Sequence, residues 1–416
     1  MAARPPVSVL LVALAIGCSG RAPEPPAESP TAPEWVDWSP AVFERARRED
    51  RLVLLDLGAV WCHWCHVMEE TTYRDAAVLE LLARGYVTVR VDQDSRPDLA
   101  GRYGEYGWPA TILFDSSGHE LAKWRGYIQP ADMAGRLAAF LEDPTPGPSA
   151  AGPPPAPRGG ASSLDAELRA DLLAAHRESY DAAQGSWGTV HKFLPPRAVE
   201  LAMLQGAEGD AEEERRARET LDRSLALIDP VWGGVYQYSH GGVWTNPHFE
   251  KILPFQADDL AVYSLAYARY GEARYLEAAR SIARFLFRFL AGEGGAFRPS
   301  QDADVVPGEH AGDYFALDDA GRRAIGVPRI DPHLYARENG WAIAALVRYW
   351  AASSDDEALA AALRAARWVL ANRSLPGGGF RHDAPGADRA GPYLGDTLSM
   401  GRAFLALYSA TGGSNT

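Results

Sequence analysis

Lysine is almost missing from this chain: of its 41 basic residues only Lys123, Lys192 and Lys251 are lysines. A compact ammonium and arginine's planar fork are not equivalent, so a surviving lysine is a candidate for a site that needs a point charge, with chance survival as the alternative. Cysteine is equally scarce, with Cys18, Cys62 and Cys65 alone. No basic cluster offsets the formal net charge of −14, which argues against a nucleic-acid partner. Past the N-terminal segment no stretch is apolar enough to span a bilayer. The length, 416 residues, implies two or three domains with ample core.

Met1 to Gly17 read as an export signal, with Arg4 as a weak positive start and Val7 to Ile16 as an apolar core too short to persist as a membrane helix. The segment ends in Leu14-Ala15-Ile16-Gly17-Cys18. That phrase resembles a bacterial lipoprotein cleavage box, with Ala15 where leucine is usual, and implies lipid attachment at Cys18. An ordinary cleaved signal is the alternative. With Cys18 assigned, one cysteine pair remains, in an extracytoplasmic compartment where a disulfide persists. The expected location is the cell envelope, anchored on the periplasmic side.

That pair lies in Trp61-Cys62-His63-Trp64-Cys65-His66. The buried-strand pattern Leu52 to Leu57 precedes it, and a helix is expected over roughly Cys62 to Leu82. At a strand-to-helix junction the first sulfur sits over free backbone N–H groups and the positive end of the helix dipole, which favour thiolate. The second sulfur lies one turn inside, within reach of a disulfide. His63 and His66 are expected to modulate the pair, since a protonated imidazole lowers a neighbouring thiol pKa. Asp56, within the strand, is either a buried carboxylate near the pair or an alternating residue that reaches solvent. The C-x-x-C-H order also fits covalent haem attachment through His66, and Cys62, His63, Cys65 and His66 are all metal-ligating types. Haem is normally attached in small helical surroundings, and no further cysteine completes a metal shell. The expected cofactor set is therefore none beyond the redox-active disulfide, with no metal.

Further along, Tyr86 to Asp92 reads as a second buried strand. Thr111 to Phe114 and Glu120 to Trp124 read as a hairpin around Asp115-Ser116-Ser117-Gly118, and Pro130 to Leu141 as a closing helix. Asp143 to Gly160 is proline-rich and has little that packs, so it reads as a linker. Beyond it the chain reads as nearly all helix, starting from a cap at Ser162 or Asp165. One apolar stripe runs through Tyr275, Leu276, Ala279, Ile282, Ala283, Leu286, Phe289 and Leu290. A second runs through Leu359, Leu363, Ala366, Val369 and Leu370. Four glycine-rich phrases recur between helices: Gly185-Ser186-Trp187-Gly188, Trp232-Gly233-Gly234-Val235-Tyr236, Gly294-Gly295-Ala296-Phe297 and Gly377-Gly378-Gly379-Phe380. Such recurrence suggests stacked helical hairpins of an α/α toroid, with about nine helices where a closed six-hairpin ring has twelve.

Cys62 to Glu69, Val91 to Asp98 and Gly107-Trp108-Pro109 resemble the thioredoxin domain of one family, typified by a spermatogenesis-associated thioredoxin-domain protein and its bacterial relatives. Pro247 to Leu253, Ser300-Gln301-Asp302-Ala303-Asp304 and Lys192-Phe193 resemble signature segments of that family's helical domain. The resemblance implies an α/β thioredoxin-like domain followed by an all-α toroid of the six-hairpin glycosidase type, complete or incomplete. It also implies a cis bond before Pro109, facing the redox pair, where Trp108 and its backbone receive an extended substrate. The expected layout is a signal peptide over 1–18, a tether over 19–34, the thioredoxin-like domain over 35–142, a linker over 143–161 and the toroid over 162–412.

Function follows from these pieces as an expectation. Cys62, Cys65, Asp56 and Pro109 would carry thiol–disulfide exchange, with His63, His66, Trp61 and Trp108 modulating it. The clients would be protein thiols or disulfides. His248, Glu250, Lys251, Gln301, Asp302, Asp304 and Lys192 form a candidate toroid pocket that would select a client or hold a carbohydrate. Paired carboxylates there would also suit glycoside hydrolysis or epimerisation, which makes a sugar-processing enzyme the main alternative. An envelope scaffold is the third reading. The alternative for the pocket residues is an ion-pair network that ties loops together.

Overall fold

A computed structural model describes residues 1, 32–150, 164–387 and 390–412. The export signal, Cys18, most of the tether and residues 151–163 of the linker region lie outside the described residues. Among the described residues no helix is long and apolar enough to cross a membrane.

The first half is a four-stranded sheet in the order β2-β1-β3-β4, with β1 (Leu52–Gly58) parallel to β2 (Tyr86–Asp92). β3 (Ala110–Phe114) runs antiparallel to β1, and β4 (Glu120–Arg125) antiparallel to β3. Side chains alternate across a strand, and both faces of this sheet are covered. Val53, Leu55 and Leu57 turn to one face, under α1 (Pro40–Glu49) and α4 (Pro97–Tyr103). Leu54 turns to the other, under α2 (His63–Glu70), α3 (Ala76–Gly85) and α5 (Pro130–Glu142). Asp56 shares the parity of Leu54 and is buried rather than exposed. The single helix expected over Cys62 to Leu82 is two helices. Asp75 breaks it by accepting hydrogen bonds from the Ala77 and Val78 amides, a side-chain cap that restarts the helix on a new axis.

The second half, an all-α domain, repeats one unit four times among the described residues: an outer helix, a tight glycine turn and an inner helix. The outer helices are α6 (Ala166–Glu178), α8 (Ala211–Ser224), α10 (Ala273–Phe285) and α14 (Asp356–Arg373). The inner ones are α7 (Pro196–Ala207), α9 (Leu253–Tyr270), α13 (Ala336–Ser353) and α15 (Leu394–Thr411), packed in the order α7-α9-α13-α15. Two short helices, α11 (Gly312–Phe315) and α12 (Asp319–Ile325), lie between α10 and α13. The recurring glycine phrases are the turns. Each closes a small antiparallel pairing: Tyr180 with Trp187, Ile228 with Val235, Ala291 with Phe297 and Ser374 with Phe380. Along α10 the expected apolar stripe is buried or packed on the core. Along α14 it shifts: alanines 358, 361, 362, 365 and 366 fill the interface, while Leu370 is exposed.

Two of the three lysines hold these turns. Lys192 Nζ donates to the Gly188 carbonyl (2.5 Å) and to Asp181 (2.8 Å). Lys251 Nζ donates to the Gly233 carbonyl (2.7 Å) and to Asp229 (2.6 Å). Arg322 completes the second cluster with two hydrogen bonds to Asp229 of 2.7 and 3.1 Å. Lys251, Asp229 and Arg322 are fully buried. Burial alone would push the Asp229 carboxyl up, but Lys251 and Arg322 outweigh it and hold the group at about 2. A depressed acid contributes stability above its ordinary value of 3.8 and loses that contribution as pH falls through the depressed value.

Two outcomes are expected. Asp229→Asn leaves two buried cations short of a counter-charge and costs roughly 3–5 kcal/mol in urea unfolding at neutral pH; the variant also lacks the wild-type fall in stability between about pH 4 and pH 2. Gly233 has φ +75°, and a Cβ there would come within 2.3 Å of the Ser281 carbonyl oxygen. Gly233→Ala should cost on the order of 1–3 kcal/mol, read as a lowered Tm.

Candidate redox site at the domain interface

Cys62 ends the loop after β1 in an extended conformation and caps α2. Its Sγ accepts a hydrogen bond from the Cys65 amide at 3.1 Å. The two cysteines form a disulfide with their Cα atoms 5.2 Å apart. The cap places Cys62 where backbone donors and the helix dipole stabilise a sulfur anion. A Cβ added to Gly58 would lie 3.4 Å from Cys65 Sγ, so the end of β1 is in direct contact with the second sulfur. Asp56 sits two residues earlier, on the sheet face under α2, with Arg90 donating to it at 2.9 Å. Burial, the largest influence, raises its pKa despite the arginine. A carboxyl raised in this way exchanges a proton more readily near neutrality than an ordinary aspartate.

The helical half closes over this pair. Ile252 and Phe255 pack with Ala59, Trp61, Cys62, Cys65 and Trp108. Trp61 stands edge-on to Trp108, centroids 5.5 Å apart, and donates from Nε1 to Asp94 at 2.8 Å. The Trp108–Pro109 peptide is cis and precedes β3. His382, from the loop before α15, pairs through Nε2 with the Asp94 carbonyl at 2.7 Å and through Nδ1 with Asp396 at 2.8 Å.

The closest electrostatic contacts join α2 to the loop Ser300–Gly308. His63 Nδ1 lies 2.8 Å from Asp304 Oδ1, and His66 Nε2 lies 2.9 Å from Asp302 Oδ2. The loop is pre-shaped for this. Asp302 Oδ1 accepts from the Asp304 amide at 3.0 Å, and Asp304 Oδ2 accepts from the Gly308 amide at 2.9 Å. Glu250 adds an acceptor for the His63 amide at 3.4 Å. Burial works against the His66 imidazolium, yet the hydrogen bond and charge of Asp302 raise its pKa. Asp302 is itself raised, because burial outweighs His66. Both shifts favour the protonated form of the pair. His66, Asp302 and Asp304 also offer three donor atoms within 4.8 Å of one another, a set able to hold a metal ion.

The candidate toroid residues therefore do not form one pocket. Asp302 and Asp304 face the redox helix. Lys192 and Lys251 are withdrawn into the buried turn clusters. Gln301 is fully buried, paired in register with Lys251, with neither amide atom hydrogen-bonded among the described residues. His248 stacks on Tyr238 at 4.4 Å and lies 3.9 Å from Glu250. These two residues do open onto a cavity, together with Trp61, Cys62 and Trp108. His191, Phe193, Tyr238 and His240 line it too, and the sequence reading passed over all but Phe193. Their one sequence signal is the matched Lys192-Phe193 segment, which brings the first strand of their small sheet beside the others.

Residues 27–140 match the family model Thioredox_DsbH, described as "Protein of unknown function, DUF255". Spermatogenesis-associated protein 20 of Homo sapiens is 26% identical over 317 residues, covering 66% of this chain and 39% of the human protein. The chain thus spans about two fifths of that relative. A thioredoxin of Alicyclobacillus acidocaldarius is 31% identical over 106 residues, covering 24% of this chain and 93% of the thioredoxin. Among solved structures, a family 76 glycoside hydrolase from a bovine Bacteroides thetaiotaomicron strain has a TM-score of 0.43 at 14% identity, covering 60% of this chain and 51% of that one.

A raised histidine pKa supplies stability below the ordinary value of 6.5 and loses it as pH rises through the raised value. Asp302→Asn should remove that dependence. Wild type should become less stable relative to the variant as pH climbs past neutrality, with the His66 ring titrating lower in the variant by NMR.

Proposed function

The N-terminal domain of this chain belongs to the thioredoxin-like Thioredox_DsbH family, and on that footing we propose that the protein is a thiol–disulfide oxidoreductase working through Cys62 and Cys65. The observation that carries the reading is the disulfide itself: it closes over the start of α2, with Cys62 opening onto a cavity beside the Trp108–Pro109 loop. In the dithiol form the Cys62 thiolate attacks a client disulfide, forming a mixed disulfide and releasing one client thiolate. Cys65 then attacks Cys62 Sγ, closing the internal disulfide and releasing the second client thiolate. Two electrons pass from protein to client, and the reverse sequence passes them back. Asp56 is positioned below α2 to take up or return the Cys65 proton. His63 and His66 tune the sulfur through their paired carboxylates.

The proposal extends to place and partners. Cys18 would carry a lipid, and the folded part would work on the outer side of the cytoplasmic membrane, where thiol clients are oxidised or reduced. Carbohydrate processing in the helical half has less support, because Asp302 and Asp304, its paired carboxylates, are engaged with His66 and His63.

The decisive measurement equilibrates the protein in graded glutathione buffers, traps thiols by alkylation and weighs the products. A reversible two-electron equilibrium is expected between about −120 and −270 mV, the range of known oxidoreductases. Cys65→Ser should accumulate the mixed disulfide and Cys62→Ser should form none. A pair that never closes, or never opens, sinks the reading.

A further inference from the structure

Cys62 is 3% exposed, and its remaining access is through the cavity it lines. That cavity encloses about 580 Å³ and has two walls of different origin. The thioredoxin-like half supplies Trp64 and Tyr127, with ring centroids 5.7 Å apart, together with Trp108. The helical half supplies Tyr238, His248 and Phe193 opposite them. His248 comes within 6.5 Å of Trp64, centroid to centroid, so the two walls approach each other at this point. The pairs His63–Asp304 and His66–Asp302 fix the spacing, because they tie the helix bearing one wall to the domain bearing the other.

These dimensions select by size. A cavity in the range of roughly 300–1,000 Å³ suits a small organic molecule, and its aromatic lining suits one with apolar surface. A folded partner needs about 800 Å² of open, complementary surface on each side, and its disulfide would have to reach a sulfur at the bottom of a walled cleft. Here the helical half stands over the pair, with Ile252 and Phe255 packed against Cys62 and Cys65.

We propose that the client of the Cys62–Cys65 pair is a low-molecular-weight thiol or disulfide, admitted through this cleft, and that the helical half acts as the size filter. The proposal rests on the redox reading above. The chemistry balances as RSSR plus the protein dithiol giving two RSH plus the protein disulfide, or the reverse, with no further oxidant or reductant.

The test uses the full chain, reduced and freed of reductant, with disulfide formation followed by alkylation and mass spectrometry. Hydroxyethyl disulfide and glutathione disulfide are the small probes and oxidised insulin is the protein probe, each rate divided by that probe's rate with dithiothreitol. The small probes should react at least about tenfold faster on this scale, equivalent to 1.4 kcal/mol in the barrier. His248→Trp, which fills the cleft, should slow the small probes about tenfold, while His248→Ala should speed insulin. Unchanged reduction potentials in both variants certify an intact pair. Insulin reacting as fast as the small probes, or His248→Trp leaving their rates unchanged, would overturn the size filter. Absence of any reversible potential in the wild-type chain would instead strike the redox reading beneath it.

Discussion

Two imidazole–carboxylate contacts hold this molecule in its working form. His63 and His66 project from the helix that begins at the redox cysteine, and Asp304 and Asp302 meet them from a loop some 240 residues later. The carboxylates are buried, which penalises their charge, and a buried acid needs a proton or a cation beside it. His66 stands beside Asp302, whose hydrogen bond and charge raise the imidazole pKa in return. His63 makes the matching contact with Asp304. One set of contacts thus fastens two domains beside the disulfide.

The remaining architecture supports that arrangement. The loop bearing Asp302 and Asp304 follows one glycine turn of the helical half, and the strand bearing Glu250 and Lys251 follows another. Those turns crowd glycines against the helices behind them, as Gly233 does against Ser281. Buried ammonium groups hold two of the turns by reaching a turn carbonyl and a carboxylate at once. This answers why lysine survives at positions 192 and 251 in a chain otherwise committed to arginine. A single tetrahedral donor head fits between a carbonyl and a carboxylate, whereas a planar fork would need more room. Their role is to brace the loop face on which the thioredoxin-like domain rests.

How much of this was legible beforehand differs from level to level. The continuous apolar runs of β1 and β2 and the Cys-x-x-Cys junction were readable because they are local patterns. The break at Asp75 was not, since a side-chain cap competes with an otherwise continuous helical pattern. α1 and α4 are short and begin at prolines, and they escaped notice for want of a long apolar stripe. On α14 the leucines drew attention, while the alanines make the close contact between helices. The functional residues show the same limit. Sequence spacing left His248, Glu250, Lys251, Asp302 and Asp304 open between one pocket and an ion-pair network that ties loops together. The fold parts them among a turn brace, a cleft wall and an interdomain latch, because those assignments depend on contacts far apart in the chain. Even the metal question changes at that level: His66 lacks partners in its own segment and finds two from the other domain.

The latch also binds the two domains thermodynamically. Opening or closing the Cys62–Cys65 bond alters the start of α2, and His63 and His66 leave that same turn to end in the other domain. If the interface holds one redox form more tightly than the other, reciprocity requires the redox state to alter the grip by an equal free energy. The disulfide would then report on the helical domain, and whatever strains the helical domain would be felt as a change in the ease of reducing the bond beneath it.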